Sequence, residues 1–103
     1  MICMSDTIFE ICDKYGKIIY LTKERWTHIQ KHPEMVNELE RIIDTLTRPL
    51  VIIKEEFDKT LVYYYLYYKN RPHAKYLLVL VKYLNGKGFV ITAFYTNKIK
   101  GLK

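Results

Sequence analysis

The sequence predicts an α+β fold, with an N-terminal hairpin and two helices packed on one face of a mainly antiparallel four-stranded β-sheet. Two observations support this fold class. Helical periodicity is confined to the stretch before residue 48, and the residues after it form β-prone runs separated by short turn sequences. Because helices and strands occupy separate parts of the chain, the helices are expected to cover one face of the sheet. A chain of 103 residues has room for one hydrophobic core, so residues 1–103 are predicted to be a single domain.

The N-terminal hairpin is predicted from two short β-prone runs, residues 8–12 and 17–21. They flank Asp13-Lys14-Tyr15-Gly16, a turn sequence in which glycine supplies the positive φ angle that such turns need.

Two helices are predicted after the hairpin. Thr22 suits the N-cap of the first helix, and Pro33 disfavours helical geometry at His32, where that helix should end. The second helix is predicted over residues 34–47, ended by Pro49. Its apolar residues recur at spacings of three and four, which predicts an inward stripe of Met35, Leu39, Ile42, Ile43 and Leu46. Glu38, Glu40, Arg41 and Asp44 are expected on the outer face.

The four predicted strands cover residues 50–54, 61–69, 75–84 and 89–96. Five tyrosines lie in residues 61–69. They favour sheet packing, although aromatic rings bordered by cations also suit the stacking of RNA bases. The sequence Asn85-Gly86-Lys87-Gly88 predicts a tight turn before the last strand. Two loop lengths fit it, and they place opposite sets of residues on each face, so the register stays open.

Charge points to a polyanionic partner. Seventeen basic and eleven acidic side chains give a net charge of +6, and no Asp or Glu follows Asp58. The late basic residues are Lys69, Arg71, Lys75, Lys82, Lys87, Lys98, Lys100 and Lys103. Such a one-sided distribution favours binding to nucleic acid, although lysines at sheet edges also protect against aggregation. The sequence lacks a long apolar run and an N-terminal secretory signal, which predicts a cytoplasmic protein without a membrane partner.

The segment from Arg25 to Glu34 carries the most chemistry. On a helix His28 and His32 lie on one face, and two imidazoles that titrate near neutrality can accept and donate protons. Equally, Trp26 and Ile29 could be core anchors with the histidines on a solvated face. A zinc site is a weaker interpretation, since no third ligand is evident among His73, Cys12 and Glu34. No metal and no cofactor are predicted.

The sequence resembles a group of small bacterial, archaeal and phage proteins thought to be related to the barnase–EndoU–colicin–RelE superfamily of metal-independent ribonucleases, many of them toxins. The shared motifs are Leu21-Thr22-x-x-Arg25-Trp26-x-His28-Ile29-x-x-His32-Pro33-Glu34-Met35, Thr45-Leu46-x-x-Pro49, and Val79-x-Val81-Lys82 with Gly88-Phe89-x-Ile91-Thr92-Ala93-x-Tyr95. The resemblance implies that both histidines face the sheet from a helix. It places Thr92 and Tyr95 on the last strand, followed by Lys98. A glutamate like that of barnase is not evident.

These observations lead to the hypothesis of an RNA-binding, metal-independent endoribonuclease of toxin type that produces a 2′,3′-cyclic phosphate. The predicted catalytic residues are His28 as base, His32 or Tyr95 as acid, and Lys98. The predicted RNA- and phosphate-binding residues are Arg25, Arg71, Lys82, Thr92 and Lys100. The predicted partners are RNA and a protein antitoxin. The alternatives are a non-catalytic RNA- or protein-binding module, and a structural protein that forms homodimers through its tyrosines.

Overall fold

The structure, a computed structural model, describes residues 6–101. Residues 1–5 and 102–103 lie outside this range. They include Lys103 and most of the N-terminal segment for which no secretory signal is predicted. In chain order the elements are β1 (Thr7–Cys12), β2 (Ile18–Thr22), α1 (Lys23–Ile29), a 3-10 turn (Pro33–Met35), α2 (Leu39–Thr47), β3 (Val51–Lys54), β4 (Leu61–Tyr67), β5 (Tyr76–Leu84) and β6 (Lys87–Thr96).

The α+β class is confirmed, but the predicted four-stranded, mainly antiparallel sheet is wrong. The sheet has six strands in the order β1-β2-β6-β5-β4-β3, and it is mixed. Strand β2 runs parallel to β6, pairing Ile19 with Gly88 and Tyr20 with Phe89. The N-terminal hairpin is therefore one edge of the main sheet. Parallel strands are joined by long connections rather than tight turns, so no local sequence signal announces this pairing.

Gly88 allows β2 to approach β6. A Cβ atom at this position would lie 3.0 Å from side-chain carbons of Ile19, Val81 and Tyr83. Such a distance is too short for two carbon atoms in ordinary van der Waals contact. The glycine that the sequence suggested as part of a turn is therefore a packing requirement of the six-stranded sheet.

The second predicted helix is divided in the structure. A 3-10 turn at Pro33–Met35 precedes α2, which begins at Leu39. Between them Asn37 has a φ angle of 67°, a left-handed conformation that an α-helix of L-residues does not accommodate. Met35, Ile42 and Leu46 of the predicted stripe are nevertheless fully buried, so the spacing identified inward-facing residues although it misplaced the start of the helix.

The hairpin between β5 and β6 settles the register that the sequence left open. Its loop has two residues, Asn85 and Gly86, both with positive φ, and Leu84 pairs with Lys87. This is the turn geometry that suits the twist of paired strands. One face of the sheet, the helix face, carries Leu77, Val79 and Val81 in the core beneath the helices. The opposite side of β5, the open face, carries Leu78, Leu80 and Lys82.

This register separates two predicted site residues of β6. Tyr95 pairs with Leu77 and belongs to the helix face, whereas Thr92 pairs with Leu80 and belongs to the open face. The chain after β6 turns onto the open face, where Ile99 packs against Tyr65 and Leu78. Within residues 6–101, no helix has the length and apolar character needed to cross a membrane.

Candidate functional site

Two arginines and two tyrosines meet on the helix face, beside the carboxyl ends of β4 and β6. This arginine–tyrosine cluster consists of Arg41, Arg71, Tyr68 and Tyr95. Arg41 comes from α2, Arg71 and Tyr68 from the loop after β4, and Tyr95 from β6. The chain thus brings together residues from three parts of the sequence.

Arg41 connects the helix to the sheet. Its Nη1 donates a hydrogen bond of 3.0 Å to the Tyr95 hydroxyl oxygen, and its guanidinium carbon lies 4.4 Å from the centroid of the Tyr68 ring. This bond to Tyr95 is the main reason that the pKa of Arg41 is raised. The guanidinium is held by the Tyr95 hydroxyl, the Tyr68 ring and the carboxylate of Glu38, and the Arg41 side chain is still 41% exposed. Part of its charge therefore faces solvent.

Arg71 contacts the ring of Tyr95, whereas Arg41 contacts its hydroxyl. Its guanidinium carbon lies 3.5 Å from the centroid of the Tyr95 ring, a close cation–π contact. Its Nε donates a 3.1 Å hydrogen bond to the carbonyl oxygen of Ala74. Among the described residues, the terminal nitrogens of Arg71 have no hydrogen-bond acceptor, so the paired N–H groups that recognise phosphate oxygens remain available.

A cavity of about 400 Å³ opens beside the cluster. It is lined by Arg41, Tyr67, Tyr68, Lys69, Asn70 and Arg71. Three of these six side chains are cationic, and Tyr67 adds an aromatic ring that is 45% exposed. The lining combines charge for phosphate oxygens with flat apolar surface for a base.

Burial keeps the tyrosine hydroxyls of the cluster protonated. It raises the pKa of Tyr95, and the hydrogen bond from Arg41 opposes that rise only in part. Burial also raises the pKa of Tyr68. Tyr95 accepts its hydrogen bond from Arg41 and retains its own proton, so its hydroxyl is a hydrogen-bond donor at neutral pH.

Glu38 supplies a carboxylate next to the cluster. Its Oε2 lies 3.5 Å from Nε of Arg41, and its side chain is 19% exposed. Arg41 therefore faces Glu38 with one nitrogen and Tyr95 with another. A proton acceptor and a proton donor therefore contact different nitrogens of one guanidinium, an arrangement suited to general acid–base chemistry on a phosphodiester.

The structure brings together two of the predicted site residues, Arg71 and Tyr95, and places the predicted histidines elsewhere. His28 is exposed on α1 and borders a surface depression with Arg25, Glu24, Thr27 and Lys31. His32 is exposed after α1, with its ring centroid 6.2 Å from that of Phe94. The residues at these two positions do not line the cavity of the arginine–tyrosine cluster.

The remaining predicted residues are dispersed. Lys82 and Lys100 pair with carboxylates, at 2.9 Å from Asp58 and 3.4 Å from Glu55 respectively. Lys98 is exposed beyond β6, and its backbone N–H donates to the Thr96 hydroxyl at 3.3 Å. Thr92 lies on the open face. The acid-free end of the sequence therefore does not correspond to one basic surface, since two of its lysines are neutralised by residues 55 and 58.

Sequence reasoning missed Arg41, Glu38 and Tyr68. Arg41 and Glu38 were expected on the outer face of a longer helix, whereas α2 begins only at Leu39. A signal was present in Arg41, which directly precedes the buried Ile42 and lies four residues before the buried Thr45. A long cationic side chain in that position can extend along the core boundary and keep its charged end in water.

Within the described part of the chain, no group of three or more His, Cys, Asp or Glu side chains is placed to hold a metal ion. No family model, curated protein or solved structure matches this chain. The resemblance to metal-independent ribonucleases therefore stays a prediction based on sequence motifs.

Proposed function

We propose that this protein binds RNA at the arginine–tyrosine cluster and cleaves it there without a metal ion. The observation that carries the proposal is that Arg41 contacts both Glu38 and the Tyr95 hydroxyl, while Arg71 lies over the Tyr95 ring. Two guanidinium groups can hold the oxygens of one phosphodiester and stabilise the charge that develops on them.

In the proposed reaction Glu38 takes the proton of the ribose 2′-hydroxyl, whose oxygen attacks the adjacent phosphorus. The bond from phosphorus to the 5′-oxygen then breaks, and Tyr95 gives its proton to that leaving oxygen. The products are a 2′,3′-cyclic phosphate and a free 5′-hydroxyl. Arg41 and Arg71 stabilise the additional negative charge on the non-bridging oxygens. Each of the two protons thus has a named partner: Glu38, next to the cluster, accepts the first, and Tyr95, in the cluster, donates the second.

Single-stranded nucleic acid is favoured over other polyanions by the lining of the cavity, and RNA is required by the 2′-hydroxyl of the proposed reaction. Tyr67 and Tyr68 offer ring surface beside Lys69 and Arg71, and single-stranded RNA is recognised by stacking its bases on aromatic side chains next to cations. A purely electrostatic site would need no aromatic rings. The protein antitoxin and the homodimer predicted from the sequence are separate proposals, and the lining of this cavity supports neither of them.

Incubation of the protein with a 5′-labelled oligoribonucleotide in EDTA tests the proposal. We expect cleavage products that end in a 2′,3′-cyclic phosphate, and no cleavage when the nucleotide at the cut site is 2′-deoxy. Glu38→Gln, purified in the same way, is the control for a contaminating ribonuclease, because such a contaminant would cleave the RNA equally in both preparations. Binding without cleavage would contradict the catalytic part of the proposal and favour a non-catalytic RNA-binding module. The absence of both would remove RNA as the partner.

A further inference from the structure

A second cavity lies on the helix face at the other end of the strands, next to the turn of the β1–β2 hairpin. Its volume is about 300 Å³, at the lower end of the range for small-ligand sites. It is lined by Asp13, Tyr15, Lys17, Ile52, Lys54, Lys59, Val62, Tyr64 and Tyr83. We call it the lysine-rimmed pocket. None of its lining residues belongs to the arginine–tyrosine cluster.

A chain of hydrogen bonds forms the polar side of this pocket. The carboxylate of Asp13 accepts hydrogen bonds from the backbone N–H groups of Tyr15 and Lys17, at 2.8 and 2.9 Å. Its other oxygen accepts from the Tyr83 hydroxyl at 2.8 Å, and the hydroxyl oxygens of Tyr83 and Tyr64 are 2.5 Å apart. Asp13 is 7% exposed, so these bonds compensate for the burial of its charge.

The direction of this chain determines what the pocket can bind. An ionised carboxylate only accepts, so the proton of Tyr83 is used by Asp13. Tyr64 must then donate its own proton to the oxygen of Tyr83. The oxygen of Tyr64 therefore has a free lone pair but no proton to offer, so it can accept a hydrogen bond from a ligand and cannot donate one. Burial raises the pKa of both tyrosines, which keeps the chain in this protonation state.

The rim of the pocket is cationic and therefore suits a different part of a ligand. Lys17, Lys54 and Lys59 are exposed cations, and Lys17 Nζ lies 5.5 Å from the centroid of the Tyr83 ring. Three ammonium groups around one opening favour an anion. Ile52 and Val62, with the tyrosine rings, add apolar wall. A matching ligand has an anionic group, a flat apolar body and an N–H donor.

We infer that the lysine-rimmed pocket binds one nucleotide, with its phosphate at the three lysines and an N–H of its base donating to the oxygen of Tyr64. The same chemistry is available from a free mononucleotide and from a nucleotide within an RNA strand. The inference does not rest on the proposed function, because it uses different residues and requires no cleavage.

Titration of the ¹⁵N-labelled protein with the four ribonucleoside 5′-monophosphates, followed by NMR, tests this inference. We expect at least one to shift the backbone signals of Lys17, Lys54 and Tyr64. The matching nucleoside and ribose 5-phosphate should each bind about tenfold more weakly. If ribose 5-phosphate binds as tightly as the nucleotide, the pocket is a plain anion site. If no probe shifts these signals, including a short 2′-O-methyl oligonucleotide, the pocket binds no nucleotide. A shift by the oligonucleotide alone would assign the pocket to a nucleotide within a strand.

Two variants make the test independent of folding. Tyr64→Phe removes the acceptor oxygen and should lower the affinity about tenfold. Because Tyr64 is buried, the paired variant Lys54→Gln/Lys59→Gln, which changes only exposed side chains, should cause a loss of similar size. Lys98→Gln, which has the same change in charge outside the pocket, should bind like the wild type. Equal affinity of the paired lysine variant and Lys98→Gln would overturn the inference.

Discussion

The guanidinium of Arg71 lies over the ring of Tyr95, with 3.5 Å between the guanidinium carbon and the ring centroid. The loop after β4 maintains this contact. Ala74, with a φ angle of 49°, accepts a hydrogen bond from Arg71 and donates its own N–H to Oδ1 of Asn97 at 2.7 Å. The loop is thus attached to the chain just after β6, and this attachment places Arg71 on Tyr95.

The first prediction concerns this attachment. Asn97→Ala removes the acceptor for Ala74 and leaves every side chain of the cluster in place. Because Arg71 is then held less firmly, we expect affinity for an uncleavable 2′-O-methyl oligonucleotide to fall about threefold, roughly the value of one neutral hydrogen bond. Fluorescence anisotropy measures the change. An affinity equal to that of the wild type would mean that the loop positions Arg71 without Asn97.

Salt dependence provides the second prediction. Binding of RNA phosphates releases counterions, so the affinity should fall linearly with salt on a logarithmic plot. Arg71→Gln should reduce the slope by about one, because one phosphate contact is lost. Arg48→Gln is the matched control, since Arg48 is an exposed arginine that pairs with Asp44. The same slope for wild type and Arg71→Gln would show that Arg71 does not contact phosphate.

The third prediction tests the pairing of β2 with β6. Gly88→Ala introduces a Cβ atom 3.0 Å from each of three side-chain carbons. We expect the free energy of unfolding to fall by about 1–3 kcal/mol, as for other overpacked sites. Urea denaturation measures it, with Lys87→Ala, a change at an exposed neighbouring residue, as control. A Gly88→Ala protein as stable as this control would contradict the close approach of β2 to β6.

Acid stability gives the fourth prediction. Asp58 accepts hydrogen bonds from the Thr60 hydroxyl and from Lys82. These two bonds, the one from Thr60 more strongly, lower the pKa of Asp58 to about 2. A carboxyl whose pKa is lower in the folded protein stabilises it above the unfolded pKa of about 4, and this stabilisation is lost as the pH falls towards 2. The melting temperature of Asp58→Asn should therefore be lower than that of the wild type at neutral pH. The difference should shrink between about pH 4 and pH 2. A difference that stays constant over this range would argue against the ionised pair.

Local features of the fold could be predicted from the sequence, whereas long-range pairing could not. The turns at Gly16 and Asn85-Gly86 follow from residues that tolerate positive φ, and the buried stripe of α2 follows from its spacing. The pairing of Ile19 with Gly88 joins distant parts of the chain, and its only trace is a glycine that also suits a turn. The division of the second helix depends on Asn37, whose left-handed conformation has no strong sequence signature.

The candidate site shows the same limit. Arg71 and Tyr95 were selected from charge and motif, and the structure places them in contact. Thr92 was selected with Tyr95, but pairing register assigns them to opposite faces, and register depends on a loop length that the sequence left open. Arg41 joins the site because α2 crosses β4 and β5 at this end of the sheet. That crossing is a property of tertiary packing.

The most direct test of the central claim is the single-turnover rate of RNA cleavage in EDTA by the wild type, Glu38→Gln and His28→Ala. We expect Glu38→Gln, which preserves the shape of the side chain but removes its basicity, to lower the rate about 10²- to 10⁴-fold. Its melting temperature should stay close to that of the wild type. His28→Ala should cleave at the wild-type rate, since His28 borders a separate surface depression that shares no lining residue with the cavity beside the cluster. Loss of cleavage in His28→Ala with full activity in Glu38→Gln would contradict this proposal and place the reaction at His28 on α1.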